Sequence, residues 1–320
     1  MEINKAVRVG VVGAGSFGKN HLRVLSQLPG AQLVAVVDSD AARREAAAEQ
    51  YGCAALDDPR HLAGLADAVV VATPTTSHGA VAVPLLQAGL DVLVEKPIAG
   101  SMEEARRMVE AAAAGRRILQ VGHLERFNPA VEALEGLKTF PLFFEIHRMS
   151  LFTPRSLDVD VVLDLMIHDL EIVLALTGAM PEEIRAAGLS ILSSQSDIAN
   201  VRLQFPGGCV ANLTASRAST EQVRKLRLFA PHQYVSLDYS KQQMMVIQVG
   251  EDRQIRFQPT AITKDEPLRR ELEHFIACIN TRQAPRVGGV EAMRALEVAI
   301  GILDKIREHA EVVAGSLAAR

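Results

Sequence analysis

The sequence predicts an α/β chain in two parts: a doubly wound parallel sheet at the N-terminus, then an α+β domain with a mostly antiparallel open sheet. Two observations carry this. Up to about residue 122, short Val-rich runs alternate with helix-like segments; beyond it, strand-like runs follow one another with short turns between them. The first pattern suits buried parallel strands joined by crossover helices, the second a sheet built of hairpins.

In the first part, Val7–Val12, Leu33–Val37, Ala68–Ala72, Val92–Val94 and Ile118–Val121 are the apolar runs. Between the first two, Phe17, Val24, Leu25 and Leu28 recur at helical spacing, and Pro29-Gly30 ends the helix. Ala41–Tyr51, Ser77–Ala88 and Ser101–Ala114 complete the helices, Ser101 and Glu104 forming a capping-box signature. In the second part, Phe143–Leu151, Val201–Phe205, Cys209–Ser216, Val223–Phe229, Tyr234–Tyr239 and Met244–Val249 read as strands. Pro206-Gly207-Gly208 is a turn between two of them. One strongly apolar helix, Val161–Leu176, interrupts the strands and stops at Gly178. Helices over Leu268–Asn280 and Val290–His309 close the chain. The expected domains are residues 1–122 and 123–320, with the C-terminal helix a candidate to pack back on the first.

Composition narrows the partners. Of 320 residues, 48% are hydrophobic and 22% charged, enough apolar material for two cores. A net charge of −4 offers no basic surface for nucleic acid. The apolar runs stop short of the roughly 20 residues a membrane span needs. The three cysteines, Cys53, Cys209 and Cys278, are odd in number and widely spaced, which fits a reducing compartment. The expectation is a cytoplasmic globular protein.

Gly13-Ala14-Gly15-Ser16-Phe17-Gly18 is G-x-G-x-x-G, placed after the first strand and opening the first helix. Gly13 permits the tight turn, Gly15 a close approach of backbone to a pyrophosphate, and Gly18 close packing of helix on strand. The helix N-terminus then offers free N–H groups and the positive end of its dipole. Asp38 ends the second strand, 20 residues beyond Gly18. A carboxylate there accepts ribose hydroxyls and repels a 2′-phosphate, so NAD is expected ahead of NADP. The alternative for Asp38 is a cap on the next helix. Arg43 and Arg44 would welcome a phosphate unless they are simply solvated helix charges.

Glu95-Lys96-Pro97 follows the fourth apolar run, at the strand end where ligands sit in such sheets. A lysine there can hydrogen-bond a reacting oxygen; taken alone, it is a surface charge. Asp164 and His168 lie four residues apart on the apolar helix and share a face. Polar groups so embedded are satisfied internally or functional. With Asp169 they make no convincing metal set, because third and fourth ligands are missing at sensible spacing.

Together, Gly13–Gly18, Asp38, Ala72-Thr73-Pro74 with His78, Glu95-Lys96-Pro97 and Asp164-x-x-x-His168 resemble the Gfo/Idh/MocA family of sugar and cyclitol oxidoreductases. The resemblance runs through almost the whole chain. It implies that Gly13, Gly15, Ser16, Phe17, Gly18, Asp38, Thr73, Pro74 and His78 hold the cofactor and that Glu95 bonds its ribose. It places Lys96 between nicotinamide and substrate, with a cis bond to Pro97. His168 is then the proton acceptor, and Asp164 orients it and bonds a substrate hydroxyl. The segments Gly122–Pro129, Asp164–Asp169 and Val223–Arg227 are similar to the branch acting on nucleotide sugars. That implies oxidation at C3 of a sugar such as UDP-N-acetylglucosamine, for later amination in lipid A-type pathways; His123, Arg126 and Asn128 in the loop are candidate substrate contacts, and Arg155 is a candidate for a diphosphate or a solvated charge. Arg217, Arg224, Lys225 and Arg227 are further candidates for a diphosphate, or solvated strand charges. Arg126 and Asn128 alternatively cap the next helix. The open sheet face implies a homodimer or homotetramer. Inositol or a free sugar is the nearest rival substrate; an NAD-dependent glycosidase and a non-catalytic NAD-binding regulator are rivals of other classes.

Overall fold

A computed structural model describes residues 6–137, 139–152 and 159–318, and the chain folds as two compact units. Unit 1 comprises residues 1–124 and 266–293, unit 2 residues 125–265 and 294–320.

Unit 1 begins with β1 (Val7–Val12), α1 (Ser16–Leu25), β2 (Ala31–Val37), α2 (Ala41–Tyr51) and β3 (Ala54–Leu56). It continues with β4 (Ala68–Val71), α3 (His78–Gln87), β5 (Asp91–Glu95), α4 (Met102–Gly115) and β6 (Leu119–Gly122). The strands form a parallel sheet in the order β3-β2-β1-β4-β5-β6, the doubly wound arrangement. Its central strands are buried on both faces, as their continuous Val runs require. The edge strand β3 lies outside the expected set: three residues with two exposed alanines carry no apolar run to find.

Helix ends in this unit are set by short-range chemistry. Asp40 caps α2 by accepting the Arg43 N–H, and Gly52 ends it at φ 66°. Ser101 caps α4 through the Glu104 N–H, while Glu104 reaches back to the Gly100 N–H at 3.2 Å and across to the Gly79 N–H at 3.0 Å. The expected box therefore closes one residue earlier and also ties α4 to α3. Phe17, expected on the apolar face of α1, is 58% exposed, whereas Val24, Leu25 and Leu28 are buried.

Unit 2 contains α5 (Pro129–Glu135), β7 (Phe143–Leu151), α6 (Ile167–Thr177), β8 (Glu183–Leu189), β9 (Ile198–Gln204), β10 (Val210–Ser219), β11 (Val223–Ala230), β12 (Gln233–Asp238), β13 (Gln243–Val249) and β14 (Ile255–Pro259). The sheet order is β14-β13-β12-β11-β7-β10-β9-β8, antiparallel except where β7 and β10 pair in parallel. β8 and β14 are edge strands absent from the expected set. The expected turn at Pro206–Gly208 joins β9 to β10, with Gly207 at φ 77°. The inner face buries Phe144, Ile146, Leu213, Leu226 and Leu228 against Val131 and Leu134 of α5 and Ile167, Leu170 and Val173 of α6.

Two helices end the chain. α7 (Pro267–Thr281) belongs to unit 1, where Leu272, Phe275 and Ile276 join the core of Val9, Val11 and Leu22. α8 (Gly289–Ala318) starts in unit 1, and its Ala295, Ala299 and Ile302 complete the core of unit 2.

Candidate active site

The glycine turn has the geometry that its spacing demands. Gly13 sits at φ 98°, and a Cβ on it would lie 2.5 Å from the Ala72 carbonyl oxygen. A Cβ on Gly18 would lie 1.8 Å from the Gly13 oxygen, so strand and helix touch there. A Cβ on Gly15 would meet nothing within 4 Å. The helix N-cap is Gly15 itself and no side chain caps it, leaving the first N–H groups, beside exposed Ser16 and Phe17, for an anion. These residues fit the pyrophosphate of a dinucleotide. Asp38 does not cap α2, the alternative role considered for it, since Asp40 does that. Its carboxylate accepts the Ala14 N–H at 2.7 Å and the Asp40 N–H at 2.9 Å, which holds it against the glycine turn. Arg43 pairs with Asp40, and Arg44 donates to the carbonyls of Asp38 and Ser39.

At the end of β5 the Lys96–Pro97 peptide is cis. His78 is 1% exposed; its Nδ1 lies 3.0 Å from the Pro97 carbonyl and its Nε2 3.0 Å from the Thr73 carbonyl. His78 thus staples the Thr73-Pro74 loop to the Lys-Pro turn, acting through these segments. The Ser77 hydroxyl donates to Thr73 Oγ1 at 2.9 Å, bracing the same loop. Buried His21, which sequence reasoning missed, places Nε2 2.6 Å from Glu95 Oε1. Burial works against charge on Glu95, yet the His21 hydrogen bond and the charges of His21 and Lys96 hold its carboxyl below the usual range. His123 is buried just beyond β6, its N–H donating to the Val121 carbonyl at 2.7 Å.

In unit 2 the apolar helix starts with a π-helical turn, Val162–Met166, and continues as α6. Asp164 lies in the π turn and His168 one position into α6, both half-buried. π turns within helices often mark functional sites. The fully buried polar residues of this helix are the next two, Asp169 and Glu171, each 2% exposed. Arg148 on β7 grips Asp169 with two hydrogen bonds of 2.7 and 2.8 Å and reaches Glu125 at 2.8 Å. Its guanidinium carbon lies 5.0 Å from the centre of the Tyr239 ring. Burial alone would lower the Arg148 pKa and raise that of Glu125; the mutual charges reverse both. Burial, then the charge of Asp169, pushes the Tyr239 phenol well above its usual value.

The expected substrate loop is largely committed to this network. Arg126 bridges Glu171 at 2.5 Å and Glu135 at 2.6 Å. Asn128 caps α5 through the Ala130 N–H and donates to Glu125 and to the Tyr239 carbonyl. The helix-capping alternative is thus the one the structure realises for Asn128. Arg155 falls outside the described residues. Buried Arg217 donates to the carbonyls of Val159 and Ser196 and lies 3.4 Å from Asp197. Arg224 faces inward, 3.8 Å from Glu125, whereas Lys225 and Arg227 point to the opposite face. Among the described residues, no group of three or more His, Cys, Asp or Glu side chains is placed to hold a metal ion, and no helix is long and apolar enough to cross a membrane.

The glycine turn is shaped for a dinucleotide, and Lys96 follows the end of β5 in the same sheet. Residues 7–123 match the oxidoreductase family with an NAD-binding Rossmann fold, and residues 102–232 match the GFO/IDH/MocA C-terminal domain. The chain belongs to the Gfo/Idh/MocA family. It is 34% identical, over 92% of its length and 96% of the relative's, to UDP-N-acetylglucosamine 3-dehydrogenase of Acidithiobacillus ferrooxidans. A solved structure of that enzyme matches 95% of this chain and 98% of its own at a TM-score of 0.90. The scyllo-inositol 2-dehydrogenase (NAD(+)) of Bacillus subtilis is 27% identical over 94% of each chain.

Proposed function

We propose that the chain oxidises a secondary hydroxyl, at C3, of a nucleotide sugar such as UDP-N-acetylglucosamine, with NAD as hydride acceptor. The observation that carries this reading is the half-buried Asp164 and His168, the first on the π turn and the second at the start of α6, a helix clamped by Arg148 and Arg126. A base fixed in direction but still accessible is what proton abstraction from a bound hydroxyl requires.

The Gly13–Gly18 turn, Asp38 and Glu95 would hold NAD, which when bound would supply the hydride acceptor. His168 takes the hydroxyl proton at an imidazole nitrogen, and Asp164 orients that ring and bonds a neighbouring hydroxyl. Lys96 donates a hydrogen bond to the oxygen as it becomes an alkoxide, stabilising the charge that develops. Asp38 disfavours a 2′-phosphate. No substrate role is assigned to Arg126 or Asn128, whose side chains hold the loop and α5.

Similarity to the nucleotide-sugar enzyme over nearly the whole chain supports the substrate, and the inositol dehydrogenase relatives support a cyclitol as the second reading. Initial rates of NADH formation with UDP-N-acetylglucosamine, free N-acetylglucosamine and myo-inositol decide between them. The expected result is a kcat/KM for the nucleotide sugar at least about tenfold above the others, a difference of about 1.4 kcal/mol in transition-state binding. Faster turnover of inositol would favour the second reading. Product formed without net NADH would indicate a glycosidase, and NAD binding without turnover of any sugar a regulator.

The outward face of the unit 2 sheet carries a row of register partners: Phe143, Phe229, Tyr234, Ile247 and Phe257. The ring centroids of Phe143 and Phe229 are 5.8 Å apart, those of Phe229 and Tyr234 5.0 Å. Such a face supports assembly with a second copy of the chain, as a homodimer or homotetramer.

A further inference from the structure

Unit 1 holds a buried polar cluster around Glu95 that the catalytic reading leaves unused. His21 comes from α1, Gln120 from β6 and Glu271 from α7, and the last two are 0% exposed. On α7, Glu271 takes a place among Leu268, Leu272, Phe275 and Ile276, on the apolar face of the helix. Neither carboxyl oxygen of Glu271 has a hydrogen-bond partner among the described residues, and the same holds for His21 Nδ1 and Gln120 Oε1. The Gln120 amide instead donates to the Glu271 backbone carbonyl at 3.2 Å. Glu95 is pressed against β6, where a Cβ on Gly122 would lie 3.0 Å from its Oε2.

A carboxylate with no cation, no donor and no exposure is strongly disfavoured in its charged form. Two carboxyl groups that sense each other share one proton, and their surroundings decide which keeps it. Burial first, and then the charge of Glu95, push the Glu271 carboxyl well above the usual range. Glu95 is held low by His21 and Lys96. Glu95 has the His21 hydrogen bond and Glu271 has none, which favours the proton on Glu271.

We propose that Glu271 is a positioning residue of the cofactor site, a neutral carboxylic acid that leaves the negative charge of this cluster on Glu95. The proposal rests on the reading of Glu95 and Lys96 as the cofactor edge. The titratable group that acts on Glu271 is Glu95, at the end of β5. Its native pKa exceeds the unfolded value of about 4.3, so the native chain holds one proton more than the unfolded chain above that pH. Stability is then fully present below that pH and is lost as pH rises toward the native pKa.

Three measurements on the full chain test this. Infrared difference spectra of wild type against E271Q at pH 7 should show the carbonyl stretch of a protonated carboxyl group, missing in the variant. Urea unfolding from about pH 5 to about pH 8 should show the wild-type folding constant falling relative to E271Q by about tenfold per pH unit. In E271A, KM for NAD should rise about tenfold while kcat stays within about twofold; E271Q should restore KM. Absence of a protonated carboxyl in the wild type, parallel pH–stability curves, or an E271A with unchanged KM would each overturn the proposal. If the variants do not fold, titration of the wild-type infrared band still decides. Failure of the cofactor-edge reading has its own signature, an E95Q that binds NAD as tightly as the wild type, and it removes the positioning role whatever the infrared result.

Discussion

Gly15 and Gly18 separate two roles of the glycine turn that the motif alone blends together. An added methyl at Gly18 meets a backbone oxygen at 1.8 Å, a contact no side-chain movement relieves. Gly18→Ala should destabilise the chain by about 3 kcal/mol or more and abolish NAD binding. At Gly15 the same methyl meets only open space. Gly15→Ala should keep its Tm within a degree or two, roughly the effect of a few tenths of a kcal/mol, while weakening NAD about tenfold or more by blocking the pyrophosphate. Thermal melts alongside NAD titrations check both. These glycines, Asp38 and the Lys-Pro turn were legible because each needs one residue type at one local spacing. His21 and Glu271 were not. Their significance lies in contacts made by the fold: His21 meets Glu95 across 74 residues, and Glu271 is buried on the apolar face of α7 beside Gln120 of β6.

At the scale of elements, the helix bearing His168 depends on ion pairs drawn from distant segments. Arg148 neutralises Asp169 and Glu125, and all three side chains are largely buried. Arg148→Met should cost about 3–5 kcal/mol, because two carboxylates are left buried without a cation. The double variant Arg148→Met with Asp169→Asn should recover part of that loss in urea unfolding, a coupling that a double-mutant cycle reads directly. The apolar run and Gly178 announced this helix in the sequence, but not its opening π turn. Nor did anything local tell Asp164 and His168, which stay accessible, from Asp169 and Glu171, which do not. The pairing of Arg126 with Glu171 spans 45 residues and follows from the fold alone. β3, β8 and β14 escaped for a different reason: edge strands have one unpaired side and need no continuous apolar run.

Over the whole molecule, each unit closes its own core, and the chain visits unit 1 twice. The change of pattern after residue 122 is visible in the sequence. The return of residues 266–293 to unit 1 is not, since an amphipathic helix such as α7 does not state which sheet its apolar stripe will cover. The outward aromatic row on unit 2 argues for assembly: Phe257→Lys places a charge where Phe257 is 64% exposed and should shift the protein toward monomers in sedimentation equilibrium. A variant that keeps the wild-type mass would count against that face. The central claim, that Lys96 and His168 serve one hydride-transfer reaction, is tested most directly by single-turnover kinetics with saturating NAD and UDP-N-acetylglucosamine. Lys96→Met and His168→Ala should each slow NADH formation by at least about a thousandfold, roughly 4 kcal/mol of transition-state stabilisation, while NAD binds nearly as in the wild type. Hydride transfer at near wild-type rate in either variant would contradict the account.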